Sequence, residues 1–166
     1  MPVFLIGYMG SGKSIIGRRL STMLDICFLD LDNLIEEKTG MEINEIFKKK
    51  GENFFRKTEH RILLNYKFDS NSIIATGGGT PCFYDNHKYM QSIGNTIYLK
   101  VSFNEILNRL QSDNKRPLLF NNDLNLKNCV KEQIISREKF YLNSNYVIES
   151  DNISADQILK LLKTIF

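Results

Sequence analysis

Gly7-Tyr8-Met9-Gly10-Ser11-Gly12-Lys13-Ser14 fits the pattern GxxxxGK[ST]. Glycines in such a loop let the backbone close around phosphate groups with its N–H groups turned inward, and a helix that follows adds positive potential at its N-terminus. Lys13 is expected to reach the β- and γ-phosphates, and the Ser14 hydroxyl to ligand Mg²⁺. The pattern becomes strong evidence only between a strand and a helix. ATP or GTP is the expected ligand, but the loop is silent about the acceptor.

Two further groups could supply acceptor chemistry. In "FLDLDNL", Asp30 and Asp32 stand two apart where a strand should end, so alternation would aim both the same way if the strand runs that far. One carboxylate could help hold a Mg²⁺ hydration shell while the other accepts a hydrogen bond from a substrate hydroxyl. The plainer alternative has Asp32 capping a helix that begins at Leu34, with Asp30 paired to a lysine. The other group is "IIATGGGTP", residues 73–81, a second glycine loop with no Lys-Ser or Lys-Thr pair after it. Its strand ends in Thr76 instead of the acidic residue that serves Mg²⁺ in many phosphate-loop proteins, and a tight turn would demand positive φ at one of its glycines.

These residues need a frame. Val3 to Ile6 is an apolar run that stops at Gly7, as a buried parallel strand should. Ile15, Ile16, Leu20, Met23 and Leu24 then recur at helical spacing. Strand-like runs follow at Cys27 to Leu31, Ser72 to Thr76, Thr96 to Val101 and Tyr146 to Glu149. Helical material begins at Leu34, breaks at Gly40 and again at Gly51, and returns at Asn104 to Leu110, Leu126 to Tyr141 and Ser154 to Ile165. Five strands alternating with helices predict an α/β fold with a parallel sheet covered on both faces, because parallel strands need crossover connections. The period fails in the Asn-rich stretch 111–125, "QSDNKRPLLFNNDLN", which is expected to be a mobile lid.

Composition narrows the classes. A chain of 166 residues with 42% hydrophobic content suits one domain, residues 1–166, with a full core. A net charge of +3 is too mild to indicate nucleic-acid binding. Three scattered cysteines, Cys27, Cys82 and Cys129, with no CxxC pair, suggest neither a disulfide framework nor a zinc site. No apolar run reaches the ~18 residues needed to cross a bilayer, so a cytoplasmic protein without membrane partners is expected. The absence of an Asn-Lys-x-Asp guanine motif argues against a GTPase, and a chain this short favours a small-molecule kinase.

"GYMGSGKS", "LDLD", "FFRKTE", "TGGGT", "RPLL" and "SREKFY" occur in an order and spacing that resemble the shikimate kinases, through nearly the whole chain. The resemblance implies a P-loop, nucleoside-monophosphate-kinase-like fold with a five-stranded parallel sheet and a lid. It implies transfer of the γ-phosphoryl group of ATP, with Mg²⁺, to the 3-hydroxyl of shikimate, on the route to chorismate and the aromatic amino acids, by a monomer. Gly10, Ser11, Gly12, Lys13, Ser14 and Ile15 would hold the nucleotide, with Ser14 and, through water, Asp30 at the metal. Asp32 would face the acceptor hydroxyl. Arg56 and Arg137 would hold the shikimate carboxylate, which an arginine fork meets bidentately. Gly77, Gly78 and Gly79 would lie against the acceptor, and Lys13 and Arg116 would neutralise the moving phosphoryl group. Phe47 and Phe55 match apolar wall positions.

Without the resemblance, Arg56 and Glu59 would read as a surface ion pair; with it, Glu59 could steer the guanidinium from one helix face. "IESDNISAD" lacks the basic residue often found near adenine, leaving base recognition to Arg109 and the Asp151-Asn152 region. A gluconate-kinase-like enzyme and a non-catalytic nucleotide-binding module are the competing readings.

Overall fold

The structure, a computed structural model, describes residues 1–112 and 123–165. Five strands, β1 (Val3–Ile6), β2 (Cys27–Asp30), β3 (Ser72–Ala75), β4 (Asn95–Lys100) and β5 (Tyr146–Glu149), form one parallel sheet in the order β2-β3-β1-β4-β5. Both neighbours of β1 pair with it in parallel, Val3 standing opposite Ile73 on one side and Asn95 on the other. Every residue of β1 is buried, which explains its unbroken apolar run.

The helices are α1 (Lys13–Leu24), α2 (Leu31–Thr39), α3 (Ile43–Asn65), α4 (Asn86–Ile93), α5 (Phe103–Ser112), α6 (Asp123–Tyr141) and α7 (Ala155–Ile165). Successive β1 side chains serve opposite cores. Val3 and Leu5 join Ile16 and Leu20 of α1, with Ile158 and Leu162 of α7, on one face. Phe4 and Ile6 join residues of α2 to α6 on the other, among them Leu34, Ile46, Met90, Ile106 and Val130. Truncating fully buried Leu20 or Ile35 to alanine should cost about 2–5 kcal/mol.

Two expectations need correction. Helix α2 begins at Leu31, not Leu34, because Asp30 caps it: its side chain accepts from the Asp32 N–H, so β2 stops there and Asp32 falls in the first helical turn. The break expected at Gly51 is present: with φ 80° and ψ 168° it is non-helical and divides α3 into two helical stretches across a kink. Gln111 and Ser112 close α5 and Asp123 opens α6, so both ends of the stretch 111–125 are helical where the period was expected to fail. Its remainder, with Arg116, lies outside the described residues. α4 supplies the helix that alternation requires between the third and fourth strands, and the turn of 3₁₀ helix at Thr80–Cys82 precedes it without a signal in the sequence. Among the described residues, no helix is long and apolar enough to cross a membrane.

Candidate active site

The segments that follow β1, β2 and β3 meet at one edge of the sheet, outside the carboxyl ends of adjacent strands, where ligands of open α/β sheets gather. After β1, Gly7, Gly10 and Gly12 adopt φ of 150°, 80° and 93°, conformations that side chains rarely tolerate, and these bend the chain into a loop ending at α1. The Lys13 ammonium donates to the carbonyls of Gly7 at 2.8 Å and Tyr8 at 2.9 Å and approaches Ser11 Oγ at 3.4 Å. It therefore lies over the loop where phosphate oxygens would be received. Ser11 is fully buried and closes the turn through its N–H to the Tyr8 carbonyl at 3.1 Å. The Ile15 side chain points outward, 77% exposed. What it can offer an anion is the N–H of the first helical turn, which has no intrahelical partner.

After β2, Asp30 makes two contacts at once. Its Oδ1 caps α2, and its Oδ2 accepts from Ser14 Oγ at 2.5 Å. No cluster of three or more His, Cys, Asp or Glu side chains among the described residues is placed to hold a metal ion. Ser14 and Asp30 instead present adjacent hard oxygens. That donor set suits Mg²⁺, which keeps several waters and takes its other ligands from phosphate. Asp32 is half-buried. Burial, then the charges of Asp30 and Glu59, push its carboxyl up from 3.8 to about 6, against the pull of Lys13 and Arg56.

After β3, the glycine triplet enters a tight turn closed by the Thr80 N–H donating to the Gly77 carbonyl at 3.2 Å, but none of the three glycines has the positive φ expected of it. Close approach is the reason for glycine instead. A Cβ on Gly77 would stand 2.9 Å from both Asp32 Oδ1 and Glu59 Oε1, one on Gly78 would meet the Met9 N–H nitrogen at 3.2 Å, and one on Gly79 would overlap the Arg56 guanidinium. The triplet is the surface on which the phosphate loop, the acidic pair and Arg56 converge.

Arg56 and Glu59 are not a surface pair. Their side chains are 8% and 0% exposed, and Arg56 Nη1 donates to Glu59 Oε2 at 2.9 Å. Phe55 and Phe83 flank the guanidinium with ring centroids 4.9 and 4.7 Å from Cζ, while Nε donates to Glu52 at 3.2 Å. Phe47 packs tilted against Phe55 with centroids 4.7 Å apart, Phe47 facing solvent and Phe55 buried. Arg137 of α6 lies over the Tyr8 ring at 5.5 Å, and no carboxylate among the described residues pairs with it. Tyr141, one turn along α6 from Arg137, donates its hydroxyl to the Gly78 carbonyl. Burial holds that phenol far above its usual range, so it remains a neutral donor that pins the triplet. Tyr141 ends the quoted "SREKFY" stretch, and its i+4 spacing from Arg137 was the signal that could have identified it.

Arg109 binds on three sides: Nε to Glu105 at 2.7 Å, Nη1 to the Gly10 carbonyl at 3.2 Å, and Nη2 to the Asp151 carbonyl at 2.5 Å. Asp151 in turn accepts from the Ser102 N–H at 2.8 Å. Arg109 and the Asp151 region thus come together beside the phosphate loop.

A parallel sheet in this order, with a phosphate loop after its central strand and a carboxylate and arginines facing that loop, defines a P-loop kinase domain. The family model for shikimate kinase matches residues 9–165, and the chain belongs to the shikimate kinase family. It is 39% identical over 162 residues to a shikimate kinase of Flavobacterium johnsoniae, covering 95% of this chain and 94% of that protein. A shikimate kinase of Flavobacterium psychrophilum is 42% identical over 164 residues, with the same coverage of 95% and 94%. The crystal structure of the Bacteroides thetaiotaomicron shikimate kinase superposes with a TM-score of 0.92 at 33% identity, covering 98% of both chains. The solved structure of the shikimate kinase from Acinetobacter baumannii in complex with shikimate gives a TM-score of 0.87 at 34% identity, over 99% of this chain and 92% of that one.

Proposed function

We infer that the protein phosphorylates the 3-hydroxyl of shikimate with ATP, giving shikimate 3-phosphate and ADP in the route to chorismate and the aromatic amino acids. The family match supports the reaction. The observation that best supports the acceptor is the buried Arg56, held edge-on by Glu59 and facing the same glycine floor as Asp32.

Gly10 to Ile15 are assigned to the nucleotide, with the loop N–H groups and Lys13 on its phosphates. Ser14, with Asp30 through water, would hold Mg²⁺, which would supply positive charge to the nucleotide phosphates. Arg56 and Arg137 would take the shikimate carboxylate, fixing the ring against Gly77, Gly78 and Gly79. The 3-hydroxyl then faces Asp32, which accepts its hydrogen bond. As the oxygen bonds to the γ-phosphorus and the bond to the ADP oxygen breaks, the hydroxyl proton passes to the Asp32 carboxylate. The transition state is loose, so Asp32 orients the hydroxyl first and takes its proton late. Arg109 and the Asp151 region border the nucleotide and are assigned to its base. Arg116 is assigned to the transferring phosphoryl group from the segment outside the described residues. The enzyme is proposed to act as a monomeric cytoplasmic protein with no nucleic-acid partner.

A coupled assay for ADP release, run in parallel with shikimate, gluconate and nucleoside monophosphates, tests this reading. Shikimate-dependent ADP is expected. Its absence would sink the assignment, and gluconate-dependent ADP would favour the related kinase class.

A further inference from the structure

Behind the groups that face substrate, a continuous line of buried hydrogen bonds runs from Arg56 into the body of the molecule. Arg56 Nη1 donates to Glu59 Oε2 at 2.9 Å, and Glu59 Oε1 accepts from Thr80 Oγ1 at 2.6 Å. The Thr80 carbonyl accepts from Asn86 Nδ2 at 2.9 Å, and Asn86 Oδ1 stands 2.6 Å from His60 Nδ1. Glu59, Thr80 and Asn86 are each 0% exposed. A carbonyl can only accept, so the Asn86 amide must turn its NH₂ to Thr80 and its oxygen to His60. His60 therefore carries a proton on Nδ1. Because His60 follows Glu59 in α3, the line closes into a ring that ties one turn of α3 to the 3₁₀ turn and the start of α4. Stacking of the His60 ring on Tyr84, centroids 5.0 Å apart, closes its outer side.

We propose that Thr80, fixed in turn by Asn86, is a positioning residue for the acceptor carboxylate, acting through Glu59 on Arg56. The inference rests on the assignment of Arg56 to that carboxylate. A carboxylate gripped at one oxygen can pivot about that contact. Glu59 is gripped at both, by Arg56 on one side and Thr80 on the other, in a site with no water access to replace a lost donor. Phe55 and Phe83 flank the Arg56 guanidinium and Glu52 holds its Nε, so Glu59 at Nη1 supplies the buried contact that fixes its remaining tilt, on which a bidentate contact depends. Asn86 sets the depth of Thr80 by holding its carbonyl. Removing the Thr80 hydroxyl leaves Glu59 Oε1 without this partner, and the guanidinium loses its fixed tilt while its charge remains.

The test is steady-state kinetics on the full chain with Thr80→Val, which keeps shape and removes the donor, and Thr80→Ser, which restores it. Each is measured with shikimate and with the analogue whose carboxylate is replaced by hydroxymethyl. Thr80→Val should raise KM for shikimate about tenfold, the scale of one lost hydrogen bond to a buried charged group, with KM for ATP within about twofold of normal. Thr80→Ser should recover most of that loss. On the hydroxymethyl analogue, Thr80→Val and the unmodified protein should have equal kcat/KM, because no carboxylate is there to be oriented. An unchanged shikimate KM in Thr80→Val, or an equal loss on both acceptors, would overturn the proposal. Should Thr80→Val not fold, Thr80→Ala carries the same expectations. Absence of turnover by the unmodified protein would remove the assigned reaction itself, an outcome distinct from normal activity that Thr80→Val leaves untouched.

Discussion

Asp32→Asn should make the protein more stable and nearly inactive at once. The Asp32 carboxyl sits in a half-buried place beside Asp30 and Glu59, and its rise from 3.8 to about 6 means that the folded state resists its ionisation. At 1.36 kcal/mol per unit, the rise corresponds to roughly 3 kcal/mol as a ceiling. The sign follows from proton binding: the folded state binds this proton more tightly than the unfolded chain. The penalty is therefore absent below about pH 4, grows between pH 4 and 6, and is complete above about pH 7. Asparagine is neutral at every pH, so the variant should escape the penalty. For a chain of this size, half the ceiling would raise the unfolding midpoint by about 3–6 °C at pH 8, and the gain should vanish by about pH 4. Turnover of shikimate should meanwhile fall about 10²- to 10⁴-fold, the range for loss of a proton acceptor, with ATP binding retained. In the unmodified protein, kcat/KM for shikimate should drop below about pH 6 as Asp32 takes up its proton. Calorimetric scans at pH 8 and pH 4, set beside initial rates, check both halves. Near-normal turnover would remove Asp32 from the mechanism, and an unchanged or lowered midpoint at pH 8 would refute the burial argument.

Arg137→Ala should mainly weaken shikimate binding, by ~10-fold or more in KM with KM for ATP little changed; unchanged acceptor affinity in a titration would count against the carboxylate assignment. Gly79→Ala keeps an allowed backbone but drives a methyl group into the Arg56 guanidinium, so acceptor KM should rise at least tenfold. Equal KM for the variant and the unmodified protein would show that Arg56 has room to move. Burial pushes the Cys82 thiol up to about 11 despite Arg137 and Arg56 nearby, whereas Cys27 and Cys129 are exposed. Iodoacetamide at pH 7.5, followed by peptide mass spectrometry, should label Cys27 and Cys129 well before Cys82; the reverse order would refute this.

The central strands were legible because their burial is complete, and the half-exposed edge strands because short apolar or β-branched runs end at turn residues. Val3 to Ile6 and Tyr146 to Glu149 end where the residues predict. Others shift by a residue or two, since an apolar run does not mark its last ladder bond. Asp30 was misjudged for a related reason. Spacing alone cannot tell a strand that continues from one whose last carboxylate turns back to cap the next helix, and only the Asp32 N–H contact decides between them. The glycine triplet is legible as a loop, and the resemblance sets it against the acceptor, but the positive φ that a turn would demand is not why glycine stands there. The cause lies in Asp32, Glu59 and Arg56, residues up to 45 positions away that reach it only when the chain is folded. Arg56 and Glu59 show the same limit. An i, i+3 pair looks alike on a wet surface and in a core, and it was the resemblance, not the spacing, that gave the pair a role. Thr80, Asn86 and His60 carry no local signal, because each makes its contact across a change of element.

A pocket floored by main chain is hard for mutation to reshape. Gly77, Gly78 and Gly79 leave no side chain to exchange, and any side chain added there strikes Asp32, Glu59, the phosphate loop or Arg56. A competitive inhibitor that drew its affinity from this floor would meet a surface the protein cannot alter without disabling its own acceptor site. Escape variants would have to arise elsewhere, at exposed wall positions such as Phe47, where substitutions are cheaper and the inhibitor could be designed to touch little.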